Sequence, residues 1–264
     1  MRPRTAYTLP VFSKGRGMLR SHDLIPSEAM GRDVHVWRFG DFGAPLIVFP
    51  TASGMAHEWD AHGMVEALAE LIDGGKLKLY CTESNVAEAW TRRQGDPQWR
   101  LGRHAAFERY VLEELVARVR DDCLSPDIRI GVSGTSLGAY YACNFALKRP
   151  EIFDYALCMS GRYDISEFAV GLDPHEVYFN NPMAYVPNLD GEALERVRRR
   201  THLTLVCGQG PWEDGNVDET RVFGKILEVK GIPHDLDIWG YDVSHGWDWW
   251  RRQALHHLGR VFGK

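Results

Sequence analysis

The sequence predicts an α/β protein with a mainly parallel central sheet and helices on both faces. Three observations predict it. Short apolar runs alternate with stretches of 3.6-residue periodicity. The apolar run 128–132 leads into the almost wholly apolar stretch 137–147, the composition expected of a central helix packed on a sheet. The joint between them reads Gly134-Thr-Ser-Leu-Gly138, a strand-to-helix turn in which a serine is held up at the sheet edge and glycines let a crowded backbone make the turn. A chain of 264 residues can bury one large core, so one domain over 1–264 is expected.

After an irregular N-terminal stretch, strands are expected at 34–39, 46–49, 77–81, 128–132, 155–159, 203–207 and 236–239, each a short apolar or β-branched run. Helices are expected at 64–72, at 110–119, where Val111, Leu112, Leu115, Val116 and Val119 share a face, and at 137–147. Two more follow at 219–229, with Val222, Phe223, Ile226 and Leu227 on one side, and at 247–262. The stretch 192–200 reads as a helix whose C-terminal end collects Arg196, Arg198, Arg199 and Arg200, cations that suit the dipole there. Regions 82–106 and 163–189 break the alternation and read as loops or short helices. Both follow strand ends, so in a parallel sheet they lie over the edge where ligands bind. Their aromatics, Trp90, Trp99, Tyr178 and Phe179, together with Trp212, would suit an aromatic or long apolar acyl group.

Composition excludes several function classes. The formal net charge is −5 and the basic residues form no stripe, which argues against nucleic acid as a partner. No segment approaches the roughly 20 apolar residues a bilayer span requires, and Met1-Arg-Pro-Arg-Thr5 is followed by no apolar signal core. The five cysteines, Cys81, Cys123, Cys143, Cys158 and Cys207, are odd in number and widely spaced, as for reduced thiols in a cytoplasmic protein.

Ser136, at the centre of the turn, is the candidate nucleophile, and a serine hydroxyl needs a general base. Of eleven histidines, His245 fits best, because it follows the last expected strand and opens the final helix. His256 and His257 lie inside that helix, while His202 and His234 start strands at the wrong edge. An acid is expected in the loop 208–216 after the penultimate strand, where Asp214 is preferred, Glu213 is the second choice, and Asp218 reads as a helix N-cap. Oxyanion donors are expected at the N–H groups of Leu137 and of Ala52, the latter in Pro50-Thr-Ala-Ser-Gly54, with Thr51 and Ser53 as neighbours.

Other motifs fail on spacing. His57 and His62 in His57-Glu-Trp-Asp-Ala-His62 are five apart, which turns them off a common helix face and argues against a zinc site. Gly208-x-Gly210 lacks the third glycine of a dinucleotide fingerprint, since Glu213 stands there. Trp247, Trp249 and Trp250 read as core anchors.

Gly134-Thr-Ser-Leu-Gly138 with its Ala-Tyr-Tyr-Ala continuation, and His245-x-Trp247-x-x-Trp250 near the end, resemble the putative esterase family of α/β-hydrolases, which includes esterase D-like enzymes, feruloyl esterases and antigen mycolyltransferases. Phe49-Pro-Thr-x-Ser-Gly54, Gly63-Met-Val65, Leu79-Tyr-Cys81 and Tyr178-x-Asn-Asn-Pro182 resemble an uncharacterised bacterial branch of it. The resemblance implies an α/β-hydrolase fold and a Ser-His-acid esterase that acts on a small-molecule ester without a cofactor. Pro50-Thr51 departs from the His-Gly or Asp-Gly of many relatives, and Asp242-Val-Ser-His245 lacks the glycine pair that often precedes the histidine. Acyl transfer to an alcohol, and a noncatalytic binding role, are the alternatives.

Overall fold

The computed structural model describes residues 7–10, 18–92 and 94–263. The expectations for residues 1–5 and for most of the irregular N-terminal stretch therefore lie outside the described residues. Among those described, nine strands form one sheet: β1 Tyr7–Pro10, β2 Arg20–Ser27, β3 Arg32–Phe39, β4 Ala44–Phe49, β5 Leu77–Thr82, β6 Ile130–Thr135, β7 Phe153–Met159, β8 His202–Cys207 and β9 His234–Ile238. Their order is β1-β2-β3-β5-β4-β6-β7-β8-β9. β5, β4 and β6 to β9 run parallel, and β1, β2 and β3 add an antiparallel flank. All seven expected strands are present. The fold is that of an α/β-hydrolase.

The inner parallel strands β4 to β8 are mostly apolar, buried runs because both of their faces are covered, whereas β9, at the sheet edge, is half-buried or exposed throughout. Along β4, Ile47 and Phe49 join the core on one face, with Phe107, Tyr141 and Phe145, while Leu46 and Val48 join the core on the other, with Leu157, Trp250 and Leu258. The helix Leu137–Lys148 is buried at every position from Leu137 to Leu147, which accounts for its lack of a polar side. β2 escapes a search for apolar residues because its inward face is Ser21, Asp23, Ile25 and Ser27. Asp23 is 3% exposed and lies 4.0 Å from the Arg38 guanidinium and 3.7 Å from that of Arg118, so an ionic cluster takes the place of apolar packing there.

The region 82–106 differs from its expectation. A helix starts inside it at Pro97, with Asp96 as N-cap accepting from the Gln98 N–H at 3.0 Å, and continues through Arg109. The π-helical turn Tyr110–Leu115 and the helix Val116–Asp122 extend it without a break. Arg100, Leu101, His104 and Phe107 form its buried side, too polar a stripe for the periodicity to register. Region 163–189 holds short helices, as expected. Arg100 joins the two regions: 4% exposed, it donates to the carbonyls of Ala89 (3.0 Å), Trp90 (3.3 Å), Phe168 (2.6 Å) and Val170 (3.4 Å). All five cysteines are free thiols and four are buried. Among the described residues, no helix is long and apolar enough to cross a membrane.

Replacing Arg100 by methionine keeps most of the side chain's bulk but strands four carbonyl groups. A loss of about 2–4 kcal/mol of folding free energy is expected, read as a lower urea midpoint with an unchanged slope.

Candidate active site

The hydrogen-bond register brings the C-terminal ends of β4, β6, β7 and β8 side by side, pairing Phe49 with Gly134, Thr135 with Met159, and Met159 with Val206. Every loop that leaves this edge starts from the same rim. Ser136 stands there between β6 and the helix Leu137–Lys148, at φ 56° and ψ −124°, a conformation that costs a residue with a Cβ strain energy. Its N–H donates to the Met159 carbonyl at 2.9 Å, which fixes the turn to the neighbouring strand. The glycines on either side are required by contact: a Cβ at Gly134 would lie 2.3 Å from the Gly138 carbonyl carbon, and one at Gly138 would lie 2.4 Å from the Phe49 oxygen. The elbow is thus wedged between its own helix and β4. Ser136 is partly exposed, and the N–H of Leu137, the first helical residue, is among those that helix geometry leaves without an intrahelical acceptor.

His245 lies in the loop between β9 and the helix Trp247–Phe262. That loop is laced to the one after β8: Gln209 N–H to Gly240 O (3.1 Å), Gly210 N–H to Val243 O (2.9 Å) and His245 N–H to Pro211 O (3.1 Å). Gly208 and Gly210 allow the approach, since a Cβ on either would fall 2.1 Å and 2.8 Å from the Val243 oxygen. The glycine pair thus serves loop packing.

The carboxylate that meets His245 is Glu213, the second choice from sequence, and not Asp214. His245 Nδ1 donates to Glu213 Oε2 at 3.0 Å, and the Glu213 side chain has no solvent exposure. Asp214 is the first residue of the helix Asp214–Val229 and faces solvent. The sequence reading began that helix five residues late and put Asp218 at its N-cap; in the structure Glu213 occupies the cap position and Asp218 lies within the helix. Glu213 Oε2 also accepts from Asn216 Nδ2 (3.1 Å) and from the Cys207 thiol (3.5 Å). Burial, then the adjacent carboxylate, pushes the Cys207 thiol up, so it stays protonated and able to donate.

Glu213 Oε1 accepts from the hydroxyl of Ser160, a buried residue just beyond β7 with φ 50°. Ser160 Oγ in turn accepts from Trp250 Nε1 at 2.9 Å, and the Trp250 ring meets the His245 ring edge-on, centroids 4.8 Å apart. Trp250 is therefore more than a core anchor, because it touches both the imidazole and the serine that holds the acid. Sequence reasoning missed Ser160 and Asn216. A small polar residue ending a buried strand, in the place Ser136 holds on β6, was the available signal for Ser160.

Ala52 is exposed in the loop after β4, and its N–H has no hydrogen-bond partner among the described residues. Of the proposed pocket aromatics, Trp90 is 1% exposed and belongs to the core, whereas Phe179 and Trp212 stand 52% and 84% exposed. A cavity of about 420 Å³ between the regions 97–109 and 174–180 is lined by Leu101, His104, Glu108, Lys148 and Phe179, and Ser136 is not among its walls. His62 stacks on Trp247 with centroids 4.5 Å apart, and Glu58 bonds to the loop after β4. Asp237, His256 and His257 bring three donor atoms within 4.8 Å of one another, outside the hydrogen-bonded group around His245.

A model of the Putative esterase family matches residues 47–260, a span that covers both Ser136 and His245. The chain belongs to that family. It is a carboxylesterase-type hydrolase. No curated protein matches the sequence of this esterase. Among solved structures it is similar to an S-formylglutathione hydrolase from Agrobacterium tumefaciens, at a TM-score of 0.75 and 16% identity over 95% of this chain and 97% of that one. A ferulic acid esterase aligns with a TM-score of 0.72 and 15% identity over 98% of both chains. MPT51 of Mycobacterium tuberculosis aligns with a TM-score of 0.69 and 17% identity over 91% of this chain and 96% of that one. Identities this low speak for the shared fold.

Glu213→Gln presents an amide to Nδ1 and favours the wrong imidazole tautomer. Its kcat is expected to fall about 10³–10⁴-fold on an aryl ester while Asp214→Asn stays within about twofold, so paired steady-state assays check which carboxylate serves His245.

Proposed function

We propose that this esterase cleaves carboxylic esters of small molecules through an acyl-enzyme, with Ser136 as nucleophile, His245 as general base and Glu213 as the orienting acid. The observation that carries this reading is the hydrogen bond from His245 Nδ1 to the fully buried Glu213 carboxylate. It leaves Nε2 as the basic nitrogen, in a loop at the rim that also holds the strained, partly exposed Ser136.

In this mechanism Nε2 takes the Ser136 hydroxyl proton as Oγ attacks the acyl carbon, and the C=O electrons move onto oxygen. The N–H groups of Leu137 and Ala52 receive the oxyanion, the first aided by its helix N-terminus. Collapse breaks the bond to the leaving alkoxide, which takes the proton from His245. Water then repeats the sequence on the acyl-serine, releasing the acid and restoring Ser136. The Glu213 charge stabilises the imidazolium formed in each half. The four buried free thiols support a reducing compartment such as the cytoplasm.

The test uses a fluorophosphonate and a set of short-chain aryl esters. The wild type should be labelled at one site and turn the esters over with an initial burst, and Ser136→Ala should abolish both. Undiminished labelling of Ser136→Ala overturns the assignment. Because a general base works only when neutral, kcat/KM is expected to fall on acidification, followed by a pH–rate profile. Adding a competing alcohol separates hydrolysis from acyl transfer, since a transferase would deliver the ester of that alcohol in preference to the acid.

A further inference from the structure

Pro50-Thr-Ala-Ser-Gly54 is a loop of small residues with Ala52 and Ser53 exposed, a composition that by itself gives no reason for one fixed conformation. A single carboxylate supplies the reason. Glu58, 7% exposed and four residues beyond the loop, accepts from the Thr51 N–H at 2.7 Å, from Thr51 Oγ1 at 2.6 Å and from Ser53 Oγ at 2.7 Å. Thr51 Oγ1 also accepts from the Ser53 N–H at 3.2 Å. The residues on both sides of Ala52 are thus tied to one buried carboxyl group, and the Ala52 N–H between them has no acceptor among the described residues. Two backbone bonds complete the brace, Gly54 N–H to Thr51 O at 3.1 Å and Ser84 N–H to Gly54 O at 3.0 Å.

This pattern chooses between the donors the loop could offer. The Thr51 N–H is spent on Glu58, so it is not available to a substrate oxygen. The two carboxyl oxygens meet three donors at once. A glutamine in its place can keep the Thr51 N–H bond, but its NH₂ must then donate to both hydroxyls, which reverses two of the three bonds, and an aspartate falls one methylene short. We infer that Glu58 is a positioning residue for ester cleavage: it sets the loop after β4 so that the Ala52 N–H points at the oxyanion before substrate arrives. The inference rests on the serine-esterase reading above. Its physical basis is that an oxyanion donor is effective because it needs no reorganisation when charge develops, and deleting one such donor costs about 10²–10³-fold in kcat. A donor that remains but wanders should cost less.

The experiment compares Glu58→Gln, Thr51→Val and Ser53→Ala with the wild type on an aryl acetate, and measures inhibition by an aryl trifluoromethyl ketone, whose adduct with Ser136 carries an oxyanion. Glu58→Gln is expected to lower kcat by about 10–100-fold, below the loss of a whole donor, with KM within about threefold. Trifluoromethyl ketone affinity should fall by a factor matching the loss in kcat/KM. Thr51→Val and Ser53→Ala, which each remove one hydroxyl and are tolerated by the fold if Glu58→Gln is not, should show the same signature at about 2–10-fold. A role in folding alone would lower the melting temperature and leave kcat and ketone affinity unchanged in the folded variants. That result, in an active wild type, overturns the inference and leaves the esterase reading standing. A wild type that turns over no ester and takes up no fluorophosphonate overturns both.

Discussion

A carboxylate sealed from water must find its hydrogen bonds within the protein, and Glu213 does so by drawing four segments to one point. The end of β7 brings Ser160, β8 brings Cys207, the helix after Glu213 brings Asn216, and the loop after β9 brings His245. Each partner comes from a different segment, so the carboxylate fixes the spacing of the loops as well as the imidazole tautomer. Withdrawing one partner leaves charge behind in a site without solvent. The lacing of the loops after β8 and β9, and the contact of Trp250 with both Ser160 and His245, read as consequences of that one requirement.

The other fixed point is backbone conformation. Ser136 and Ser160 end adjacent strands with positive φ, an arrangement a folded chain keeps only when its surroundings over-determine it. At Ser136 the surroundings are the Gly134–Gly138 contact and the approach of Gly138 to β4. At Ser160 they are the N–H bond to Val206 O at 2.7 Å and the two side-chain bonds to Glu213 and Trp250. Ser136 and the serine bonded to Glu213 thus stand directly at the ends of neighbouring β-strands, which vary less in position than loops do.

The sheet was legible where strands are short apolar or β-branched runs, and the seven that read so, the six parallel strands and the antiparallel β3, are strands. The flank was not legible where its inward residues are Ser21, Asp23 and Ser27, for a pattern of polar residues facing ions carries no apolar signal. At the site, the place of Ser136 in a strand-to-helix turn and that of His245 in the loop after the last strand could be read from the sequence. The acid turned on where a helix begins. With a start near residue 219, Glu213 and Asp214 share one loop and are hard to rank. With the start at Asp214, the two side chains diverge, one toward water and one beneath the end of β8. Glu58 went unread for a different reason: its partners Thr51 and Ser53 are common loop residues, and nothing in their spacing announces a shared acceptor.

Arg100 makes the wall above the sheet edge a single mechanical part. Its guanidinium spans carbonyls from two stretches of chain some eighty residues apart, so neither can shift far without the other giving up its bonds. A turn lengthened or shortened on one side would then have to be answered by repacking on the other, since both hang on the same arginine.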